Sequence, residues 1–197
     1  LTTERPSRPP APKSSPPSQA PNSASDRPRS PARPKSSPRV DSSKPQPDDP
    51  LFFGTIPVSG LIGRALAGMG YAAPTPIQDE VIPLVQSGKD VVGQAQTGTG
   101  KTAAYSIPLL ETVDKDSKDP QALVLVPTRE LAVQVKVEMS KLGQHTGVKI
   151  LAVYGGQAMS RQLESIQRGV QIIVATPGRL MDHMQRGTLD IGRVKVV

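Results

Sequence analysis

Cysteine and tryptophan are absent from the 197 residues, and aromatic side chains make up only 3%. Without a thiol the chain has no disulfide framework, no thiolate metal site and no cysteine nucleophile, a composition compatible with a reducing compartment. No apolar run approaches the roughly twenty residues that a membrane-spanning helix needs, so a soluble protein with no membrane partner is expected. His145 and His183 are the only histidines and stand far apart with no paired ligand spacing; they read as surface or structural residues.

Apolar side chains run thinnest at the N-terminal end. Residues 1–50 contain no aromatic residue, and Leu1 and Val40 are their only large aliphatic ones. Such Pro- and Ser-dominated sequence cannot bury enough apolar surface to offset its ordering entropy, so a disordered tail is expected. Nine Lys or Arg against five Asp or Glu give it +4 of the formal +7, leaving residues 51–197 only mildly basic. The tail reads first as a solvated linker. Its stretch RPRSPARPKSSPR also suits nonspecific RNA attraction, which phosphates at Ser30 or Ser37 would weaken. Pro28, Pro31 and Arg33 fit a polyproline ligand for an SH3-type protein partner, a pattern that chance supplies where proline is frequent. Glu4, Asp26, Asp41, Asp48 and Asp49 argue against a transit peptide.

From Asp90 onward, apolar runs of strand length alternate with segments of helical period. DVVG, ALVLV, VKILAVY, QIIVA and RVKVV read as strands; TAAYSIPLLETV, RELAVQVKVEMSKL, MSRQLESIQRG and GRLMDHMQRG read as the helices between them. Repeated βα implies the α/β class, a parallel sheet with helices on both faces. Pro108 is expected to kink or end the first of these helices. Upstream, VSGLIGRALAGMGY looks like one amphipathic helix weakened by its glycines.

The most specific signal is AQTGTGKT, residues 95–102. A strand that turns through glycines into a helix aims backbone N–H groups at one spot beside the positive end of the helix dipole, which suits a phosphate. Gly98 and Gly100 permit the turn, Lys101 reaches the β and γ phosphates of a nucleotide, and the Thr102 hydroxyl is placed to ligate Mg²⁺. The strict pattern opens with glycine, where this chain has Ala95. PTRE, YGG and TPGR likewise follow expected strands, so four special loops share one rim of the sheet, the edge at which open parallel sheets bind ligands. Arg129 and Arg179 fall in expected first turns of helices, where the dipole disfavours a cation by about 0.3–1 kcal/mol and a bound anion would reverse that sign. Pro127, Thr128, Thr176, Pro177 and Gly178 add hydroxyls and helix-start amides suited to phosphate oxygens, and Gly155 and Gly156 admit a close backbone.

In this order the motifs resemble the first RecA-like domain of DEAD-box ATP-dependent RNA helicases, over about Phe53 to Val197. GYAAPTPIQ (70–78) resembles the Q motif, AQTGTGKT (95–102) motif I, PTRELA (127–132) motif Ia, Gly155–Gly156 the GG motif and TPGR (176–179) motif Ib. The resemblance divides the chain into a tail, 1–50, and a partial RecA-like ATP-binding domain, 51–197. It implies that Gln78 reads adenine while Phe53 stacks on the base and Thr75 anchors the phosphate loop formed by Ala95, Gln96, Thr97, Gly98, Thr99 and Gly100. Lys101 and a Thr102-held Mg²⁺ would then serve catalysis, and ATP with Mg²⁺ would be the cofactors. Pro127, Thr128, Arg129, Gly156, Thr176, Pro177, Gly178 and Arg179 would hold an RNA strand by its backbone. A location inside the cell, in cytoplasm or nucleus, goes with that role.

RVKVV stands where the strand delivering the DEAD sequence is expected, and the chain ends at Val197 before any aspartate of it. Residues 1–197 alone are therefore expected to show negligible ATPase and helicase activity and marginal stability, with a gap in the sheet beside the phosphate-loop strand. Two other readings stay open: another P-loop motor such as a DNA helicase or remodeller, and a noncatalytic RNA-binding or scaffold fragment.

Overall fold

The structure, a computed structural model, describes residues 49–197. The tail expected over 1–50 and its RNA or protein partner thus lie outside the described residues, save Asp49 and Pro50.

The described chain opens with an antiparallel hairpin that periodicity does not announce. Its strands β1 (Leu51–Phe53) and β2 (Ile56–Val58) are three residues each, joined through Gly54 at φ +63°. A side chain at Gly54 would meet the Pro74 ring at 2.7 Å, so backbone and space both demand glycine there. Ser59 accepts a hydrogen bond from Ile62 N and caps α1 (Gly60–Gly68), shorter than the expected segment; Ile62, Ala65 and Leu66 form its buried face. A second helix, this one unforeseen, is α2 (Pro76–Gln86), which follows the N-cap Thr75 with Pro76 in its first turn.

The expected parallel sheet is present with fewer strands. β3 (Ala122–Leu125), β4 (Ile150–Val153) and β5 (Ile172–Ala175) pair in the order β3-β5-β4, all parallel. The central strand is buried throughout, and its alternation shows why: Ile172 and Val174 face one layer, Ile173 and Ala175 the other. On the first side lie α3 (Lys101–Thr112) and α4 (Arg129–Leu142), through Ile107, Leu110, Val135 and Met139; on the other, Leu180 of α6 (Pro177–Gln185) and Leu189. α5 (Met159–Gln167) connects β4 to β5. Fully burying each Ile or Val of β5 contributes about 1.5–3 kcal/mol, which makes this strand the spine of the sheet.

Two expected strands are not formed. DVVG at 90–93 makes no ladder, and Val92 is wholly exposed; apolar content alone does not make a strand where no neighbour offers hydrogen bonds. RVKVV contributes a single parallel bridge, Val196 to Ala122, with Val196 O accepting from Leu123 N. Pro108 does not end α3, which continues to Thr112, with Ile107, Pro108, Leu109 and Leu110 all buried. Near the end of that helix, Glu111 accepts from Ser59 N at 2.7 Å and from Gln86 Nε2 at 2.9 Å, tying the start of α1 to the ends of α2 and α3.

Candidate nucleotide and nucleic-acid interface

The glycine loop is gripped from below by the first turn of α2. Thr75 Oγ1 donates to Thr99 O at 2.8 Å, and Gln78 Nε2 donates to Gly100 O at 3.1 Å. Gln78 Oε1 accepts from Thr75 N at 2.9 Å, so this buried amide caps its own helix and braces the loop at once. Gly98 and Gly100 hold φ of +79° and +87°, the left-handed region that glycine enters without penalty. Lys101, the first residue of α3, donates to Ala95 O and to Gln96 O, so two loop carbonyls face the ammonium. Thr99 Oγ1 donates to Gln96 O at 2.8 Å and draws the loop tight, while Thr97 and Gly98 lie exposed at its tip. Thr102 follows on α3, and Tyr105 one turn on has its hydroxyl held above the usual range chiefly by burial, against the opposing pull of the Thr102 hydroxyl. Thus Thr75, Gln78, Ala95, Gln96, Thr99, Gly100 and Lys101 form one connected cluster. Because 90–93 is not a strand, the loop enters α3 from irregular chain.

Phe53 stands apart from that cluster. Its ring is 3% exposed, lies 6.2 Å from Tyr71 and packs with Ile56, Ile62 and Ile82, leaving no open face for a base. Strand alternation puts Phe52, 72% exposed, on the outer face instead.

The other expected residues gather where the three parallel strands end. Thr128, the N-cap of α4, accepts from Leu131 N at 3.3 Å, and Arg129 opens that helix in exposed position. Its Nη1 lies 3.3 Å from where a Cβ on Gly156 would sit, so the guanidinium lies over the loop leaving β4. Glu130 pairs with Arg129 Nε at 2.5 Å, which holds its carboxyl below the usual range. Thr176 holds the N-cap position of α6 without a side-chain capping bond, followed by Pro177, Gly178 and Arg179. Arg179 Nη1 donates to Gln157 O at 3.1 Å; its buried Nε has no hydrogen-bond partner, with Asp182 Oδ2 3.8 Å away. An open cleft of about 570 Å³ runs between Arg129, Glu130, Val133, Tyr154, Gly156 and Gln157.

Glu130, Tyr154 and Gln157 join this cleft without having been singled out from sequence; only their adjacency to Arg129 and to the Gly155–Gly156 pair marks them. Beneath it, Gln162 and His183 are buried and bonded to each other. They sit one turn from Ile166 and Leu180 on the core faces of α5 and α6, and a polar residue on an apolar stripe is their sequence signal. Among the described residues no group of three or more His, Cys, Asp or Glu is placed to hold a metal ion, and no helix is long and apolar enough to cross a membrane.

A parallel α/β layer with ligand-suited loops at one strand edge, preceded by a glycine loop that opens a helix, defines the RecA-like class of P-loop domains. The DEAD/DEAH box helicase family profile matches residues 75–197. The chain is 51% identical over 143 residues to the ATP-dependent RNA helicase DeaD of Escherichia coli K12, covering 72% of this chain and 23% of that protein. It is 49% identical over 140 residues to the DEAD-box ATP-dependent RNA helicase CshA of Bacillus subtilis, covering 71% and 28%. The crystal structure of a DEAD box protein from Methanococcus jannaschii superposes with a TM-score of 0.67 at 42% identity, covering 70% of this chain and 38% of that one. The chain belongs to the DEAD/DEAH box helicase family, and its match spans about a quarter of the length of these curated relatives.

Proposed function

We propose that the protein is an ATP-dependent RNA helicase, in which residues 51–197 form a partial RecA-like domain that binds ATP with Mg²⁺ and grips one RNA strand by its backbone. The observation carrying this reading is the convergence of the loops after β3, β4 and β5, with Arg129 laid over Gly156 and Arg179 bonded to Gln157. Arginines and helix-start amides suit phosphate oxygens and carry no base sequence information. Thr128, Thr176 and Gly178 serve the same strand, and Pro127 and Pro177 set the entry into each helix.

The glycine loop fits a triphosphate. A Cβ at Gly98 would meet open space, and Lys101 already lends its ammonium to the loop's concavity. Lys101 would exchange the Ala95 and Gln96 carbonyls for phosphate, Thr102 would offer a hydroxyl to Mg²⁺, and Gln78 would turn its amide to the base. When bound, ATP with Mg²⁺ supplies the phosphoryl transfer whose coupling to RNA remodelling defines such an enzyme.

The test uses the full-length protein and measures ATP turnover with single-stranded RNA and with single-stranded DNA. RNA should stimulate turnover and DNA should not; Lys101→Ala should abolish nucleotide binding. Arg129→Ala and Arg179→Ala should weaken RNA binding alike across sequences, each lowering the salt slope by about 0.7. Equal stimulation by DNA, or RNA binding indifferent to both arginines, overturns the reading.

A further inference from the structure

Below the strand-end cleft lies a buried polar chain to which the RNA-backbone reading assigns no part. Gln162 of α5 is 1% exposed and His183 of α6 is fully buried. Gln162 donates from Nε2 to Tyr154 O at 2.9 Å and to Gln157 Oε1 at 3.0 Å. A carbonyl only accepts, so the Gln162 atom facing Tyr154 must be the amide nitrogen and its partner atom the oxygen. That oxygen lies 3.0 Å from His183 Nε2, which therefore carries the ring proton and donates. At the other nitrogen, Nδ1 is 2.9 Å from Thr188 Oγ1, itself 3.0 Å from His183 O.

The ring is thus held at both ends, and its position on α6 matters. His183 lies one turn after Arg179, and both reach the same loop: Arg179 directly to Gln157 O, His183 through Gln162 to Tyr154 and Gln157. Two links, one turn apart, join the first and last turns of α6 to the loop on which Arg129 rests.

We propose that His183 and Gln162 are positioning residues for the RNA-backbone site, locking the loop 154–157 to the last turn of α6 as Arg179 ties it to the first, so that Arg129 and Arg179 grip one strand in fixed register. This rests on the RNA-backbone reading above. Apolar side chains would fill the space between α5 and α6 as well as this network does, and buried polar groups are commonly replaceable without loss of stability. What an apolar pair lacks is the directed bond to the loop.

The decisive variant is therefore Gln162→Leu with His183→Leu in the full-length protein, probed with a fluorescent single-stranded oligouridylate over a salt series. It should melt near the parent temperature yet bind about three- to tenfold more weakly, with a salt slope shallower by about 0.7, one phosphate contact. A smaller folded fraction alone would leave that slope unchanged. His183→Gln, which keeps a donor at the Nε2 position, should retain affinity, whereas His183→Asn, which reaches only Thr188, should not. This second pair decides the matter if the double variant does not fold. Parental affinity and slope in the double variant or in His183→Asn overturn the inference, provided Arg129→Ala still weakens binding. If Arg129→Ala and Arg179→Ala also have no effect, it is the RNA-backbone reading that fails.

Discussion

Gly100→Ala and Gly98→Ala carry the same backbone strain but different packing costs. Both positions take positive φ, +87° and +79°, where an L side chain costs about 1–2 kcal/mol. An added Cβ at Gly98 meets nothing within 4 Å, whereas at Gly100 it would stand 2.2 Å from Gln78 Nε2. That amide is fully buried and is fixed by its bonds with Thr75 N at 2.9 Å and Gly100 O at 3.1 Å. Moving it aside loses both bonds, at about 1 kcal/mol each. Gly100→Ala should therefore cost about 2 kcal/mol more than Gly98→Ala. That difference is roughly thirtyfold in the folding equilibrium and about 4–8 °C in melting temperature. Gln78→Ala provides the cross-check: it removes the obstructing amide, so the two changes together should cost less than their sum. Thermal melts and urea titrations of the single and double variants without nucleotide read this out. Equal destabilisation at the two glycines, or strict additivity with Gln78→Ala, refutes the reasoning. Nucleotide affinity should reverse the ranking in one respect, since Gly98→Ala, mild for the fold, places its methyl at the open tip where phosphates are proposed to enter.

Glu130 competes with any anion for the Arg129 guanidinium, to which it is paired at 2.5 Å in exposed position. Glu130→Gln should raise RNA affinity by about two- to fivefold at low salt, with the gain fading at high salt as screening grows; unchanged affinity in filter binding at low salt would show that the pair does not occupy Arg129. His183 has its ionisation lowered from about 6.5, first by burial and then by the charges of Arg179 and Arg186, against the opposing pull of Asp182. The unfolded chain then binds the extra proton first, so stability is full above about pH 6.5 and falls as pH drops through that value toward the folded one, by at most about 1.4 kcal/mol per pH unit. Urea midpoints at pH 7.5 and 5.5 should converge in His183→Gln relative to the parent; an unaltered pH dependence would mean that His183 takes up its proton as readily in the folded chain as in the unfolded one.

How far the sequence carried depends on what each signal measures. RELAVQVKVEMSKL forms α4 over those very residues, because the Thr128 cap and the stripe Ala132, Val135, Met139, Leu142 agree. DVVG failed because apolar content does not report whether a neighbouring strand exists, and Val92 ends fully exposed. The hairpin at 51–58 escaped because three-residue strands carry too little alternation to stand out. Phe53 was given a base-stacking role by the family resemblance; the pleat that turns Phe52 outward turns Phe53 into the core. The rim residues were legible because Pro, Gly, Thr and Arg at strand ends have local physical meaning. Gln162 and His183 were not, because their partners lie five to twenty-one positions away in sequence and only the packing of α5 on α6 joins them.

The two clusters also differ in how ready they are for a ligand. At the strand ends Arg129 is exposed and its only hydrogen-bonded counterion, among the described residues, is the adjacent Glu130, so a phosphate meets little resistance. At the glycine loop each reading group already has a partner: Lys101 holds the Ala95 and Gln96 carbonyls, and Gln78 holds Gly100 O. Gln78 Nε2 spends one of its two hydrogens on the residue that caps α3, and Lys101 spends two of its three on the same loop from the other side, so turning either toward a ligand as proposed strains a bond that holds the loop. Both sets of bonds act on the six residues from Ala95 to Gly100, so loosening one eases the other. Base and phosphates should therefore be recognised together, and a nucleotide lacking its γ phosphate or carrying a base that Gln78 cannot pair with should lose more affinity than the missing contact alone would supply.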